Sequence, residues 1–223
     1  MMLRRFHDRA DAGRLLAQQL MNYAGRSDVL ILALPRGGVP VGFAVAQALQ
    51  APLDVVVVRK LGVPHQPELA MGALAMGGVR VLNDEVVTEL RIARDAINRV
   101  AEREQAELER RERVYRRGRP APLVRGRVVI LVDDGLATGT TMHVAVAAVR
   151  TQQPAWLLVA VPVAASDSVA ALGPLVDDLV WVIAPKQLYA IGRWYENFAP
   201  TTDVEVCDLL ERSATLPTQA FVS

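Results

Sequence analysis

Apolar and polar positions along the chain follow two rhythms that take turns. Asp8–Tyr23 has helical spacing, with Leu15, Leu16 and Leu20 as its apolar stripe and Asp8 or Asp11 near its N-terminus. Val29–Leu34 is an unbroken apolar run of strand length that ends on Pro35-Arg36-Gly37-Gly38, and helical spacing resumes over Val41–Leu49. Leu53–Val58, nearly all valine, reads as a second strand buried on both faces. A strand–helix–strand unit of this kind is expected to cross over right-handedly.

The pattern then loosens. Arg59–Asn83 carries Gly62, Pro64, Pro67, Gly72, Gly77 and Gly78 and reads as irregular, with Ala73–Leu82 a short hairpin. Asn83 is placed to cap a helix whose first turn holds Asp84 and Glu85. That helix is expected to run from Asp84 to about Tyr115. Its apolar face thins after Val100, where Glu and Arg residues at i,i+4 spacing suit a solvated surface; a mobile arm or an oligomer contact is the sharper alternative. A basic connector, Arg116–Arg127, leads to a strand (Val128–Val132), a loop (Asp133–Gly139) and a helix (Thr140–Arg150). Strands at Leu157–Pro162 and Leu179–Ala184 enclose a helix near Ser166–Leu172. A short helix, Asp203–Arg212, and a frayed tail, Ser213–Ser223, complete the chain. Strands alternating with helices predict an α/β fold, a mainly parallel twisted sheet flanked by helices, in a single domain. Residues 84–115 form a long helical insertion in this scheme and 185–212 a possible hood.

Composition sharpens that picture. Hydrophobic residues make up 52% of the chain and aromatics only 5%, so the core must be built from Val, Leu, Ala and Ile, as buried parallel strands are. The net charge of +1 gives no reason to expect a nucleic acid or a membrane surface as partner. One cysteine, Cys207, excludes an internal disulfide and a Cys-rich zinc site, and His7, His65 and His143 lack metal-ligand spacing. With no apolar leader and no run of membrane length, a cytoplasmic protein is expected.

The chemistry concentrates after the strand Val128–Val132. Ala137-Thr138-Gly139-Thr140-Thr141 offers consecutive amides and three hydroxyls at a helix N-terminus, a combination that holds a phosphate monoester. Asp133 and Asp134 are too acidic to face that phosphate. They suit a neighbouring diol whose hydroxyls also bind a metal ion. Phosphate at one end and diol acceptors at the other describe a ribose 5-phosphate. Taken singly, an Asp-Asp pair or a Thr-Gly-Thr turn would be ordinary helix capping.

Val129-Ile130-Leu131-Val132-Asp133-Asp134-Gly135-Leu136-Ala137-Thr138-Gly139-Thr140-Thr141 closely resembles the phosphoribosyl pyrophosphate motif of the type I phosphoribosyltransferases. The order of elements from Val29 to Ala184 is similar to that family's Rossmann-like core. By that resemblance Asp133 and Asp134 hold the ribose hydroxyls, and Ala137, Thr138, Gly139, Thr140 and Thr141 cradle the 5-phosphate. Pro35-Arg36-Gly37-Gly38 matches the pyrophosphate loop, which in the family often contains a non-proline cis peptide. Arg59 and Lys60, at the end of the expected second strand, stand where the family places cations for pyrophosphate.

The resemblance implies a transferase of nucleotide metabolism that moves the 5-phosphoribosyl group from phosphoribosyl pyrophosphate to a nitrogenous base and releases pyrophosphate. Mg²⁺ is expected to be carried by the substrate, with Asp133 and Asp134 as its possible protein ligands and with Arg36 and Lys60 stabilising the leaving group. Ala137 departs from the hypoxanthine–guanine branch, which has an aspartate there; the loop is closer to the adenine and uracil branches. Trp194, Tyr195 and Phe198 are candidates to stack on a base. His65 or Glu68 could reach the site from the long Arg59–Arg127 region, which takes the place of the family's mobile loop. A homodimer is expected, since two-fold pairs are the commonest oligomers. The alternative is a regulatory protein that binds phosphoribosyl pyrophosphate or a nucleotide without catalysis.

Overall fold

A computed structural model describes residues 5–75 and 78–215. The chain begins with α1 (Arg9–Gln19), β1 (Val29–Ala33), α2 (Gly38–Leu49) and β2 (Leu53–Val55). Three antiparallel strands follow, β3 (Val58–Val63), β4 (Gln66–Ala75) and β5 (Val79–Leu82), then α3 (Asp84–Glu89) and α4 (Arg94–Arg116). It returns with β6 (Val128–Val132), α5 (Thr140–Arg150), β7 (Trp156–Val163), α6 (Ser166–Leu172), β8 (Asp178–Ile183) and α7 (Asp203–Ala214).

The main sheet is wholly parallel, in the order β2-β1-β6-β7-β8. Successive side chains of a strand point to opposite faces, so the apolar runs feed two cores. Val29, Ile31 and Ala33 of β1 join Leu16, Leu20, Val45 and Leu49 of α1 and α2 on one face. Leu30 and Leu32 join Met142, Ala145 and Val149 of α5 on the other. Chain order reverses between β1 and β6, so the loops leaving their carboxyl ends diverge and a crevice opens there.

The capping expectations hold. Asp8 accepts from the Asp11 amide at 2.8 Å, and the Asn83 side chain accepts from the Val86 amide at 3.2 Å. Four expectations are corrected. The expected strand Leu53–Val58 is two strands. The Val56 amide donates to the Ala33 carbonyl at 3.0 Å, beside β1, after which the chain leaves the sheet and β3 pairs antiparallel with β4. A run of valines carries no mark of where it changes partner. The irregular stretch Arg59–Asn83 is therefore largely a second, three-stranded sheet, β3-β4-β5. The hairpin expected at Ala73–Leu82 is its β4–β5 pair, although Met76 and Gly77 lie outside the described residues. The single helix Asp84–Tyr115 is broken between α3 and α4, where Arg91 takes a left-handed conformation (φ 48°). In the tail, Ser213 and Ala214 belong to α7, with Ser213 buried, and residues 216–223 lie outside the described residues.

α4 packs along its length. Ile97, Val100, Leu108 and Tyr115 are buried in one cluster with Leu61 and Met71 of the small sheet and Val206 and Leu210 of α7. Its outer face is laced by local ion pairs, with Glu107 accepting from Arg110 at 2.7 Å and from Arg111 at 2.9 Å. At its end Arg116, only 8% exposed, reaches Asp54 of the edge strand β2 at 3.5 Å. Among the described residues no helix is long and apolar enough to cross a membrane. Because Leu108 is fully buried, Leu108→Ala should destabilise the protein by about 2–5 kcal/mol in urea unfolding. A freely moving arm would show no loss.

Candidate active site

Two loops meet at the crevice between β1 and β6. The chain leaving β1 is tied to β6, because the Leu34 amide donates to the Val132 carbonyl at 2.8 Å. It then turns through Pro35-Arg36, whose peptide bond is cis, into Gly37 and Gly38 at the start of α2. The approach to Asp133 and Asp134 leaves no room for a side chain. A Cβ on Gly37 would lie 2.0 Å from Asp134 Oδ2, and one on Gly38 would lie 2.7 Å from the Val132 carbonyl and 2.9 Å from Asp133 Cα. The sterics of this turn, rather than its flexibility, require glycine.

The loop after β6 is held from the other side by β7 and α6. The Leu136 amide donates to Val163 O and the Ala165 amide to Leu136 O, each at 2.8 Å. The Ser168 hydroxyl donates to the Ala137 carbonyl. Gly139 adopts φ 73°, turning the chain so that α5 starts at Thr140 with no side chain capping its first turn. Thr138 and Thr140, their hydroxyls 3.3 Å apart, line a cleft of about 160 Å³ together with Gly139, Thr141, Asp133 and Asp134.

The carboxylates are electrostatically unequal. Burial, and then the negative charge of Asp134, hold the Asp133 carboxyl well above the usual range; its Oδ1 accepts from the Asp134 amide at 2.8 Å. Burial also raises Asp134, but Arg9 of α1 opposes it. Arg9 donates from Nε at 2.9 Å and approaches with Nη2 at 2.8 Å, both to Asp134 Oδ2. The Tyr195 hydroxyl donates to the Asp134 carbonyl at 2.6 Å. Burial and the nearby Asp134 carboxylate raise the proton affinity of that phenol.

Of the cations expected at the site, Arg36 lies on the β1–α2 turn, exposed, with Nη1 3.9 Å from Asp203 of α7. Asp203 also accepts from the Tyr115 hydroxyl at 2.7 Å, and burial followed by that carboxylate pushes the phenol up to about 12. Arg59 and Lys60 do not end a core strand, because they belong to β3 of the small sheet. Arg59 pairs with Glu104 of α4 at 2.6 Å, and Lys60 donates to the Glu68 carbonyl at 3.1 Å. His65 stands at the β3–β4 turn, where it lines a cleft with Arg99 and Arg103 of α4; the Glu68 side chain is exposed.

The aromatic expectation is also corrected. Tyr195 is buried, with its ring 5.3 Å from Phe6 and 5.0 Å from Phe198, so it offers no free face to a base. Trp194 packs against the same cluster. Three residues passed over in the sequence stand closer to the chemistry. Arg9 holds Asp134, and His143, whose pKa burial lowers, lines a cleft with Thr138 and Thr140. Tyr189 is 76% exposed and lines a cavity of about 720 Å³ with Ala137, Thr138, Ser168, Lys186 and Gln187. No spacing marks Arg9 or Tyr189, because one arrives from a helix remote in sequence and the other from an irregular loop; His143 stands in the first turn of α5, just past the Thr138–Thr141 loop.

Comparison with known proteins places the chain in one family. The family described as the phosphoribosyl transferase domain matches residues 2–172. A Mycobacterium tuberculosis protein, itself named only provisionally as a phosphoribosyl transferase, is 47% identical over 208 residues, 93% of this chain and 47% of its own. The chain thus spans about half the length of the curated relatives it matches. A crystal structure from Thermus thermophilus is 41% identical and superposes with a TM-score of 0.81 over 93% of this chain and 98% of that one. A protein from Aquifex aeolicus, 12% identical over 91% of this chain and 84% of its own, shares the fold with a TM-score of 0.50. The close approach of the two loops makes a direct prediction. Gly37→Ala and Gly38→Ala should each destabilise by about 1–3 kcal/mol, while Gly173→Ala, where a Cβ meets nothing within 4 Å, should be near neutral in the same thermal unfolding series.

Proposed function

This chain belongs to the phosphoribosyl transferase family, and we propose that it transfers the 5-phosphoribosyl group of phosphoribosyl pyrophosphate to a ring nitrogen of a small base. The observation that carries the reading is the meeting of the Pro35–Gly38 turn with the Asp133–Thr141 loop at the β1–β6 crevice, which packs a glycine turn directly on a carboxylate pair. The 5-phosphate takes the amides and hydroxyls of Thr138–Thr141. The ribose lies over Asp133 and Asp134, and the diphosphate lies along Arg36–Gly38.

In the reaction the acceptor nitrogen forms a bond to the anomeric carbon while the bond from that carbon to the diphosphate oxygen breaks. The electron pair leaves with pyrophosphate, and a proton on the attacking nitrogen passes to solvent. The residues act chiefly by orientation and by charge at the departing group. Arg36 is the cation on the turn itself, whereas Arg59 and Lys60 join only by leaving Glu104 and Glu68. Among the described residues no group of three or more His, Cys, Asp and Glu could hold a metal ion. The two carboxylates nevertheless fit a Mg²⁺ shared with substrate oxygens, which when bound would neutralise diphosphate charge.

The acceptor fits the cavity beside Ala137, under the loop 185–189 that opens the expected hood. Tyr189, with the Arg193 guanidinium 5.6 Å from its ring, is the stacking residue there in place of Trp194 and Tyr195. Ala137 supplies no group to manage a 6-oxopurine proton, which favours an acceptor whose nitrogen is already nucleophilic.

Calorimetric titration of phosphoribosyl pyrophosphate should show binding that Mg²⁺ strengthens and that the combined Asp133→Asn/Asp134→Asn variant loses. Pyrophosphate release with a panel of bases then identifies the acceptor. Tyr189→Ala should raise the acceptor KM about tenfold with a much smaller change in phosphoribosyl pyrophosphate affinity. No binding at millimolar ligand rejects the proposal. Binding without turnover on any base favours the regulatory reading, for which the pairing of Arg59 and Lys60 with Glu104 and Glu68 is the supporting observation.

A further inference from the structure

The function proposed above gives Asp133 and Asp134 one shared task, yet their surroundings differ. Asp134 Oδ2 receives both Arg9 contacts, at 2.9 and 2.8 Å, and the two side chains are only 11% and 13% exposed. Arg9 is itself fixed on two further sides. Its Nη1 donates to the Ala199 carbonyl at 2.8 Å, and its guanidinium lies 3.9 Å from the centre of the Phe198 ring. Main-chain bonds fasten the segment before α1 to the same region, from the Phe6 amide to Trp194 O and from the Glu196 amide to Phe6 O, each at 2.8 Å. The missing Cβ of Gly37 would lie 2.0 Å from Asp134 Oδ2 and 3.3 Å from Arg9 Nε, so the β1–α2 turn rests directly on this ion pair.

Among the described residues Asp133 has no such clamp: its Oδ1 accepts from the amide of its own neighbour, and it lines the same cleft as Asp134.

We propose that Asp134 is a strut, neutralised by Arg9 to seat the diphosphate-side turn, and that Arg9 is a positioning residue acting through it. The effect on ligand binding rests on the proposed function; the strut itself does not. Removing either member of a nearly buried pair strands the other's charge, whereas removing both does not.

The test combines thermal unfolding without ligand and calorimetric titration of phosphoribosyl pyrophosphate with Mg²⁺, on Arg9→Gln, Asp134→Asn, their combination, Arg9→Lys and Asp133→Asn. Arg9→Gln and Asp134→Asn should each lower Tm, and the combination should fall no further than the worse single variant. In the titrations, Asp133→Asn should abolish binding, Arg9→Gln and Asp134→Asn should weaken it alike by about tenfold, and Arg9→Lys should recover part of that loss. Additive Tm losses, or an Asp134→Asn variant with unchanged Tm, overturn the strut. So does an Asp134→Asn variant that binds as poorly as Asp133→Asn while Arg9→Gln binds normally. If the unaltered protein fails to bind, the transferase reading falls, and the Tm cycle still decides the strut.

Discussion

The contact between Gly37-Gly38 and Asp133-Asp134 is the constraint on which the rest of the site depends. Parallel pairing of β1 with β6 brings the ends of both strands to the same edge of the sheet, and reversal of chain order at that point sends their loops apart. The crevice works as a site only if both loops also come close enough to act on one ligand. Two residues without Cβ allow this, with the backbone of one loop packed on the carboxylates of the other. Larger residues would push the two loops apart.

That approach concentrates negative charge where water is scarce. At this strand end burial, and then the neighbouring Asp134 charge, raise the proton affinity of Asp133. The fold answers with Arg9, delivered by the first helix and pinned by Phe198 and Ala199 from the far end of the chain. The two ends of the fold thus meet around Asp134, and Tyr195 donates to the Asp134 carbonyl from the same segment. The aromatic cluster after β8 is a support for the carboxylate pair, while the exposed ring, Tyr189, stands a few residues earlier over the larger cavity.

The insertion between β2 and β6 has a structural logic of its own. Its small antiparallel sheet lies between α5, where Ala73 and Ala75 meet Val144 and Ala148, and α4, where Leu61 and Met71 share a core with Ile97 and Leu108. The long helix is half core and half solvated surface, and its C-terminal end closes on β2 through Arg116 and Asp54. Arg59 and Lys60, which a strand of continuous valines would have carried to the crevice, are turned into this layer and paired with Glu104 and Glu68.

The chain's own letters determine whatever depends on neighbours in sequence. The apolar runs at β1, β6 and β7, the helix spacing of α2 and α5, the caps at Asp8 and Asn83 and the strand–loop–helix at Val128–Arg150 were all legible, because each reflects burial or hydrogen bonding within a few residues. Tertiary structure alone decided where the valine run changes partner, why Arg91 breaks a helix that contains no glycine or proline there, and which side chains attend Asp134. Arg9 and Asp134 lie 125 residues apart, and Tyr195 a further 61 beyond Asp134. No local pattern encodes such meetings, since packing brings the two loops and both ends of the fold to one edge of the sheet.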